Sequence, residues 1–410
     1  MPPTYAEGLL SGIITGSMLP DGLIMKEIHP KIKYFADAVD VGKSFFALQG
    51  KDITKKPTIS PKVFCYEKET KGEWMQLNMA GGAVLGDTTI TVDAVGPLRP
   101  NDIIQIWESD LSAFEQIRVL TVPSSTTFTC TRNYGTSHSG TWADDTKIKI
   151  LFNAGAETGS LPTISNRIPS DEWNCVTLIR TAIGGGLFFT NQKTYTGDPW
   201  TDQLIEKWID HLNEKINKAL FGARKWDSTN GIPIGEGIIP AVIRRGGVLK
   251  PDLGVVTWDS FMGVVRQAFK VGSSTKIMLA CPMMTYALAS WKKNNPMVIM
   301  QEDTYLDIQV DSLKLPGGKT LKIIEENKLS GDPDDSPDNL FGGSFVIVDP
   351  RNITYMPYLT TKGVLDDKLL KDRQANDSLS REEEYISCAA WRWDVITSHC
   401  FASGITGFNN

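Results

Sequence analysis

The chain has 410 residues, 41% of them hydrophobic and 22% charged, an ordinary globular mix that can bury roughly two or three cores. A net charge of −6 argues against a general polyanion-binding protein. No run of about 18 apolar residues occurs, so a membrane-spanning helix is not expected. Residues 8–19 are apolar, but no basic residue precedes them, and a secretory signal is not expected either. The six cysteines are scattered without a CxxC pair, which predicts reduced structural thiols in a soluble intracellular product.

Taken in chain order, the first signal is a short amphipathic stretch from Pro30 to Val41, with Ile32, Phe35, Ala36 and Val39 at helical spacing. Residues 42–80 carry lysines, Pro57 and Pro61 and end in Glu73-Trp-Met-Gln-Leu77; they read as a long extended arm or hairpin with little core of its own. From residue 83 the character changes. Thr88-Thr-Ile-Thr-Val92, Asp102-Ile-Ile-Gln-Ile-Trp107, Glu115-Gln-Ile-Arg-Val-Leu120, Thr126-Thr-Phe-Thr-Cys-Thr131 and Lys147-Ile-Lys-Ile-Leu151 predict five short strands and a small antiparallel β-module over 83–152. Gly184-Gly-Gly186 suggests a bulge or bend.

The strongest helix signal lies at 198–224. Asp198-Pro199 supplies a cap and a first-turn proline, and Gly222 marks the end. Leu204, Trp208, Leu212, Ile216, Ala219 and Leu220 form one stripe, widened by Ile205 and Ile209; Glu206, Asp210, Glu214 and Lys218 fall on the other face. Helices are further predicted at 257–270 and 281–293, and strands at 345–349 and 353–359. The 384–401 tail carries Trp391 and Trp393 at strand spacing. Helix and strand alternate irregularly, which favours α+β over a doubly wound sheet.

Chemistry signals are few. Gly318-Lys-Thr320 and Gly42-Lys-Ser44 end like phosphate loops, but Leu313 and Asp37 stand where the first glycine belongs. His29, His138, His211 and His399 form no HExxH pair, and His211 reads as a packing or surface residue of the long helix. Asp332, Asp334, Ser336 and Asp338 alternate as in a calcium loop, yet Pro337 and Gly343 occupy the positions that need glycine and glutamate. Glu382-Glu-Glu384 reads as a solvated face. No catalytic, cofactor-binding or metal-binding residue is assigned.

The order of the segments resembles the major capsid proteins of tailed bacteriophages, in the subgroup with a β insertion in the extended loop. Leu98-Arg-Pro-Asn-Asp102 is similar to that group's "hydrophobic-x-x-Gly-Asp" step, with Asn101 at the glycine. Phe114-Glu-Gln-Ile-Arg-Val119 is similar to its "Glu-x-x-x-Val" strand and Thr129-Cys-Thr-Arg132 to its "Thr-Val-x-Arg" strand. Ala156-Glu-Thr-Gly159 resembles the step out of the module, and Trp173-Asn-Cys-Val-Thr-Leu-Ile179 an "Asn-Tyr-x-Gln-Ile" segment lacking its tyrosine and glutamine. Glu206 to Gly222, ending Lys218-Ala-Leu-Phe-Gly222 and followed by Gly231-Ile232, looks like the family's spine helix. Val346-Ile-Val-Asp349 resembles its returning strand.

The resemblance implies an N-terminal arm at 1–41, an extended loop at 42–82 and 153–180, and an inserted β-domain at 83–152. It further implies a peripheral domain at 181–255 and 346–410 with spine helix 199–222, and an axial domain at 256–345. Function follows as an expectation: self-assembly as hexamers and pentamers into an icosahedral head around double-stranded DNA, without catalysis, cofactor or membrane. The partners implied are other copies of the chain, a portal, and scaffold or decoration proteins, with weak non-specific DNA contact. The place implied is the virion, assembled in the host cytoplasm. The alternative is a virion surface binding module whose β-domain uses Trp107 or Trp142 to recognise a receptor or glycan.

Overall fold

A computed structural model describes residues 53–68, 72–108, 113–155, 169–186, 198–226, 231–294, 300–305, 308–330, 343–374 and 380–409. The predicted 30–41 helix, Gly42-Lys-Ser44 and the acidic 331–339 loop lie outside them. The fold is α+β. Contacts divide it into two compact units: one holds the described residues up to Cys65 and from Trp173 onward, the other is Tyr66–Glu172. A two-stranded ribbon of Lys62–Glu67 and Ser170–Cys175 carries the chain across both boundaries.

The Tyr66–Glu172 unit is a six-stranded antiparallel sheet in the order Trp74–Gln76, Lys147–Asn153, Asp102–Trp107, Phe114–Thr121, Thr127–Thr131, Thr89–Thr91. Alternation sets its inside: Ile104 and Ile106, Ile117 and Val119, Phe128 and Cys130, Ile148 and Ile150 are all buried. The two end strands meet. Leu77 bridges Val92, Asn78 N donates to Thr91 O at 2.9 Å and Asp93 N to Gln76 O at 3.1 Å. The sheet therefore closes into a barrel without a free edge, and bulges at 103/104 and 119/121 help it curve. The sequence reading left Trp74–Leu77 in the arm. The structure makes them the sixth, closing strand, because Met75 and Leu77 have no apolar surroundings except the barrel core.

The larger unit has two principal sheets sharing one main apolar core, beside a smaller cluster of Val63, Val176, Met356, Cys388 and Ala390. In the first, Thr54–Lys55, Ile353–Pro357, Arg381–Trp393 and Thr177–Gly185 lie side by side, and Lys368–Leu370 also pairs with Arg381–Trp393. Gly184 and Gly185 continue the ladder in register with Glu382 and Arg381, so the expected bend is absent there. The second sheet runs Val248–Lys250, Cys400–Phe408, Gly343–Val348, Thr275–Ala280, Lys319–Glu325, Ile308–Leu315, Met300–Tyr305. The last strand of the chain thus pairs with residues on both sides of the expected 345/346 division. Gly317 and Gly318 turn a hairpin at positive φ, which accounts for the Gly318-Lys-Thr320 signal.

Four helices matter here: α1 (Pro199–Phe221), α2 (Ile238–Arg244), α3 (Trp258–Ala268) and α4 (Pro282–Asn294). Asp198 caps α1 by accepting from Trp200 N, with Pro199 in the first turn. At its far end a side chain on Gly222 would lie 2.6 Å from Gly235 O, so only glycine fits that turn. The 23-residue helix lies along the Thr177–Gly185 and Arg381–Trp393 strands. Leu212, Ile216, Ala219 and Leu220 are buried as expected, but Ile205 is exposed and Trp208 half-buried. His211 and Lys215 are buried instead. The face is rotated because the strand beneath presents Ser387, a polar partner that the helix meets with its own polar groups.

Candidate functional site

Several buried polar clusters and two exposed faces stand out among the described residues. The first lies beneath α1. His211 Nε2 sits 2.8 Å from Ser387 Oγ and Nδ1 2.9 Å from Thr181 Oγ1. Ser387 donates to Asp367 Oδ1 at 2.8 Å, Lys215 binds both Asp366 and Asp367, and Tyr355 donates its hydroxyl to Asp366 at 2.7 Å. Burial, then the Lys215 charge, hold His211 down to about 4, so it is neutral and offers one donor and one acceptor to its two hydroxyls. One turn on, Lys218 donates to the Ala389 carbonyl. Burial draws its ammonium down to about 7, although part of its stem reaches the surface. Sequence spacing had placed Lys218 on the solvated face.

A second cluster fastens the other sheet. Lys276 is fully buried and donates to three carbonyls: Ala268 at the end of α3, Val271 and Ser398. Burial lowers its ammonium to about 8. Asp349 accepts from Ser273 N, Ser273 Oγ, Arg351 N and Asn352 Nδ2, while its own N–H donates to His399 Nδ1. Burial holds His399 down to about 4. Here the charged groups satisfy loop and helix-end backbone that no ladder serves.

The third cluster is the barrel's polar centre. Glu115 is wholly buried and accepts from Arg132 Nε and Nη2, each at 2.7 Å, from Asn133 N at 2.9 Å and from Trp142 Nε1 at 2.6 Å. Burial alone would raise its pKa, but these donors together outweigh it and hold the carboxyl below its ordinary value. The glutamate and arginine of the two motif strands are thus one buried ion pair. Asn101, at the motif's glycine, has φ of +67°, a left-handed conformation that asparagine tolerates after glycine. Its Oδ1 accepts from Arg118 at 2.7 and 3.2 Å, an anchor that glycine could not supply.

Other residues singled out by the sequence fall into place around these. Glu383 and Glu384 are buried, Glu384 between Arg180 and Arg373 and Glu383 on Arg381; only Glu382 faces solvent. His138 stacks on Trp142 at 4.2 Å. All six cysteines are buried as thiols, and burial pushes Cys130 and Cys400 up to about 12, far from a reactive thiolate. Among the described residues no group of three or more His, Cys, Asp or Glu is placed to hold a metal ion.

Two exposed faces remain. Along the first, Val63 and Cys65 point inward while Phe64 and Tyr66 point out, with Ile59 just before them. The second is on the barrel's outer wall, where a groove of about 960 Å³ opens between the strands of Trp74, Lys149 and Trp107 and the 141–146 loop. Trp107 lines it, stacked on Phe114 at 4.8 Å. Of the two tryptophans weighed from sequence, Trp142 is a buried partner of Glu115 that only edges the groove. Trp74, which sequence reading placed in the arm, is the exposed one.

No protein-family profile matches the chain, and no curated protein does. Solved structures that it resembles include the capsid of an empty GTA particle (TM-score 0.45, 8% identity, covering 96% of this chain and 99% of that one). The capsid of Myoviridae phage XM1 gives a TM-score of 0.42 at 10% identity over 96% and 100%. The SrpI encapsulin complex from Synechococcus elongatus gives 0.40 at 12% identity over 60% and 79%. Similarity at this level assigns neither a family nor an activity.

Proposed function

We propose that the chain is a structural shell subunit: a major capsid protein of the tailed-phage type. It assembles through copies of itself, as hexamers and pentamers, into an icosahedral head around double-stranded DNA, and performs no chemistry of its own. The observation that carries this reading is the 59–66 segment, where Ile59 is 74% exposed, Phe64 44% and Tyr66 73%. Three large apolar side chains on one short stretch are costly in water and ordinary beneath a neighbouring copy. In this reading 1–41 is the arm, 42–65 with 173–180 the extended loop that carries the 66–172 barrel unit, 181–255 with 346–410 the peripheral domain and 256–345 the axial domain. The barrel is an accessory carried on the loop. A subunit of charge −6 confines DNA with a few local, salt-sensitive contacts, and a portal with scaffold or decoration proteins completes the virion, assembled in the host cytoplasm.

Electron microscopy and light scattering of the purified protein test this. Closed shells are expected, and Phe64→Ser with Tyr66→Ser should abolish them while leaving a folded subunit. A compact monomer at high concentration under every salt condition overturns the proposal.

A further inference from the structure

The outer wall of the barrel does not carry what a solvated sheet face usually carries. Register places Trp74 beside Lys149 and Lys149 beside Gln105, so these three form one cross-strand row. Trp107 lies two residues along from Gln105 on the same outward face, opposite Phe114. Trp74 is 57% exposed and Phe114 40%, and Lys149 Nζ lies 5.3 Å from the Trp74 ring centre. From ordinary strand spacing and rise, the two tryptophan Cα atoms stand about 12 Å apart.

The opposite wall is fixed in advance. Asp144 Oδ1 accepts from Met79 N at 2.8 Å, Asp145 Oδ1 accepts from Gln76 Nε2 at 3.0 Å, and Trp142 is tied to the Glu115–Arg132 pair. Two ties come from the Gln76–Met79 run and the third from Glu115 on another strand, so the loop is held before any ligand arrives.

We propose that this groove binds a neutral oligosaccharide, with Trp74 and Trp107 as the platforms on which sugar rings stack. The π-faces of accessible tryptophans attract the C–H faces of sugars, and a Cα separation of about 12 Å is of the order of two or three sugar units in one chain. Between and around the platforms stand groups of both signs, Glu108, Asp144 and Asp145 with Lys147 and Lys149. Carboxylates accept from sugar hydroxyls and ammonium groups donate to them. The mixture also discriminates. A polyanion would meet three carboxylates beside two lysines, and an apolar peptide would desolvate these charged groups without offering them hydrogen bonds. The groove's size is within the range of small-ligand sites. This inference concerns the barrel alone and does not depend on the shell reading.

The test titrates the full-length protein with cellohexaose, maltohexaose and chitohexaose, and with a heparin hexasaccharide, following tryptophan fluorescence. Saturable quenching by at least one neutral sugar is expected. Trp74→Ala and Trp107→Ala should each weaken it about tenfold, while Trp226→Ala in the other unit leaves it unchanged. Trp74 is exposed and Trp107 half-buried, and hydrogen exchange of the 114–121 strand verifies that each variant's barrel is intact. No saturable signal from the neutral sugars, saturation by heparin alone, or binding that survives both alanine variants would each overturn the proposal. Particle formation is read separately, so failure here leaves the shell proposal standing.

Discussion

Replacing Glu115 with glutamine isolates the charge at the barrel's centre. The shape is kept, but one of two acceptor oxygens becomes an NH₂ group facing donors. Four donors now converge on the carboxylate: two from Arg132, one from Asn133 N and one from Trp142 Nε1. With one oxygen left, about half of these bonds are lost, and Arg132 remains buried with its charge uncompensated. Hydrogen bonds to charged groups contribute about 1.5–3 kcal/mol each, and breaking a buried pair costs about 3–5 kcal/mol. Glu115→Gln should therefore destabilise the barrel by about 3–5 kcal/mol.

Amide hydrogen exchange followed by mass spectrometry on the full chain reads this directly. Peptides covering 114–121 and 127–133 should exchange roughly 10²–10⁴-fold faster, while peptides from α1 and the 381–393 strand should not change. The difference has a pH signature. Because the Glu115 pKa is lowered in the fold, its contribution is fully present above 4.5 and disappears as pH falls through the folded value. Wild type and variant should converge on acidification. Protection of 114–121 unchanged within threefold at neutral pH would refute the account of the barrel centre.

His211 and His399 are each held down from 6.5 to about 4, so between those values the unfolded chain binds more protons. Stability should fall as pH drops through that window, by roughly 3 kcal/mol per histidine, and urea midpoints should be flatter in His211→Gln. Asn101→Gly should stay within about 1 kcal/mol of wild type, exchanging a left-handed asparagine and its Arg118 bonds for glycine's freedom, whereas Asn101→Val should cost more, as thermal melts would report. On α1, Leu212→Ala should cost about 2–5 kcal/mol and Glu206→Ala almost nothing, with half-buried Trp208→Ala between them by urea unfolding. A fragment of residues 66–172 should give dispersed amide spectra, while 82–153, which lacks the Trp74–Leu77 closure, should not.

What the sequence made legible follows from which forces are local. Three of the four helices, α1, α3 and α4, carry their own periodicity, and α1 its cap and terminal glycine as well, so their bounds match expectation within about three residues, whereas the seven-residue α2 was not foreseen. Alternation likewise exposed five barrel strands. The sixth escaped because Trp74–Gln76 is three residues long, follows a proline-bearing arm, and belongs to the barrel only through pairing with Lys147–Lys149 and the Leu77–Val92 bridge. The buried polar groups were hidden for the same reason. Nothing in Glu382-Glu-Glu384 separates the exposed glutamate from the two buried ones until Arg180, Arg373 and Arg381 are brought alongside. Lys218 at helical spacing from Glu214 looks solvated until a strand 171 residues away offers it a carbonyl.

Closure of the barrel bears on how a chain can carry such an insertion. An open six-stranded sheet would present two rows of unpaired backbone groups, a template for pairing with every copy brought near it. At high local concentration such a template is a route to aggregation. The Leu77–Val92 bridge and its neighbouring bonds remove both edges with one short strand, so the barrel's surface is left to side chains alone. That surface can then vary without disturbing the sheet. The stacked and exposed aromatics around Trp74 and Trp107 sit on the outward face of these closed strands, and the buried Glu115–Arg132 pair fixes the loop opposite them from within. Stability and recognition are thereby placed on opposite sides of the same wall, which is why substitution of Trp74 should change binding and leave the fold, and substitution of Glu115 should undo both.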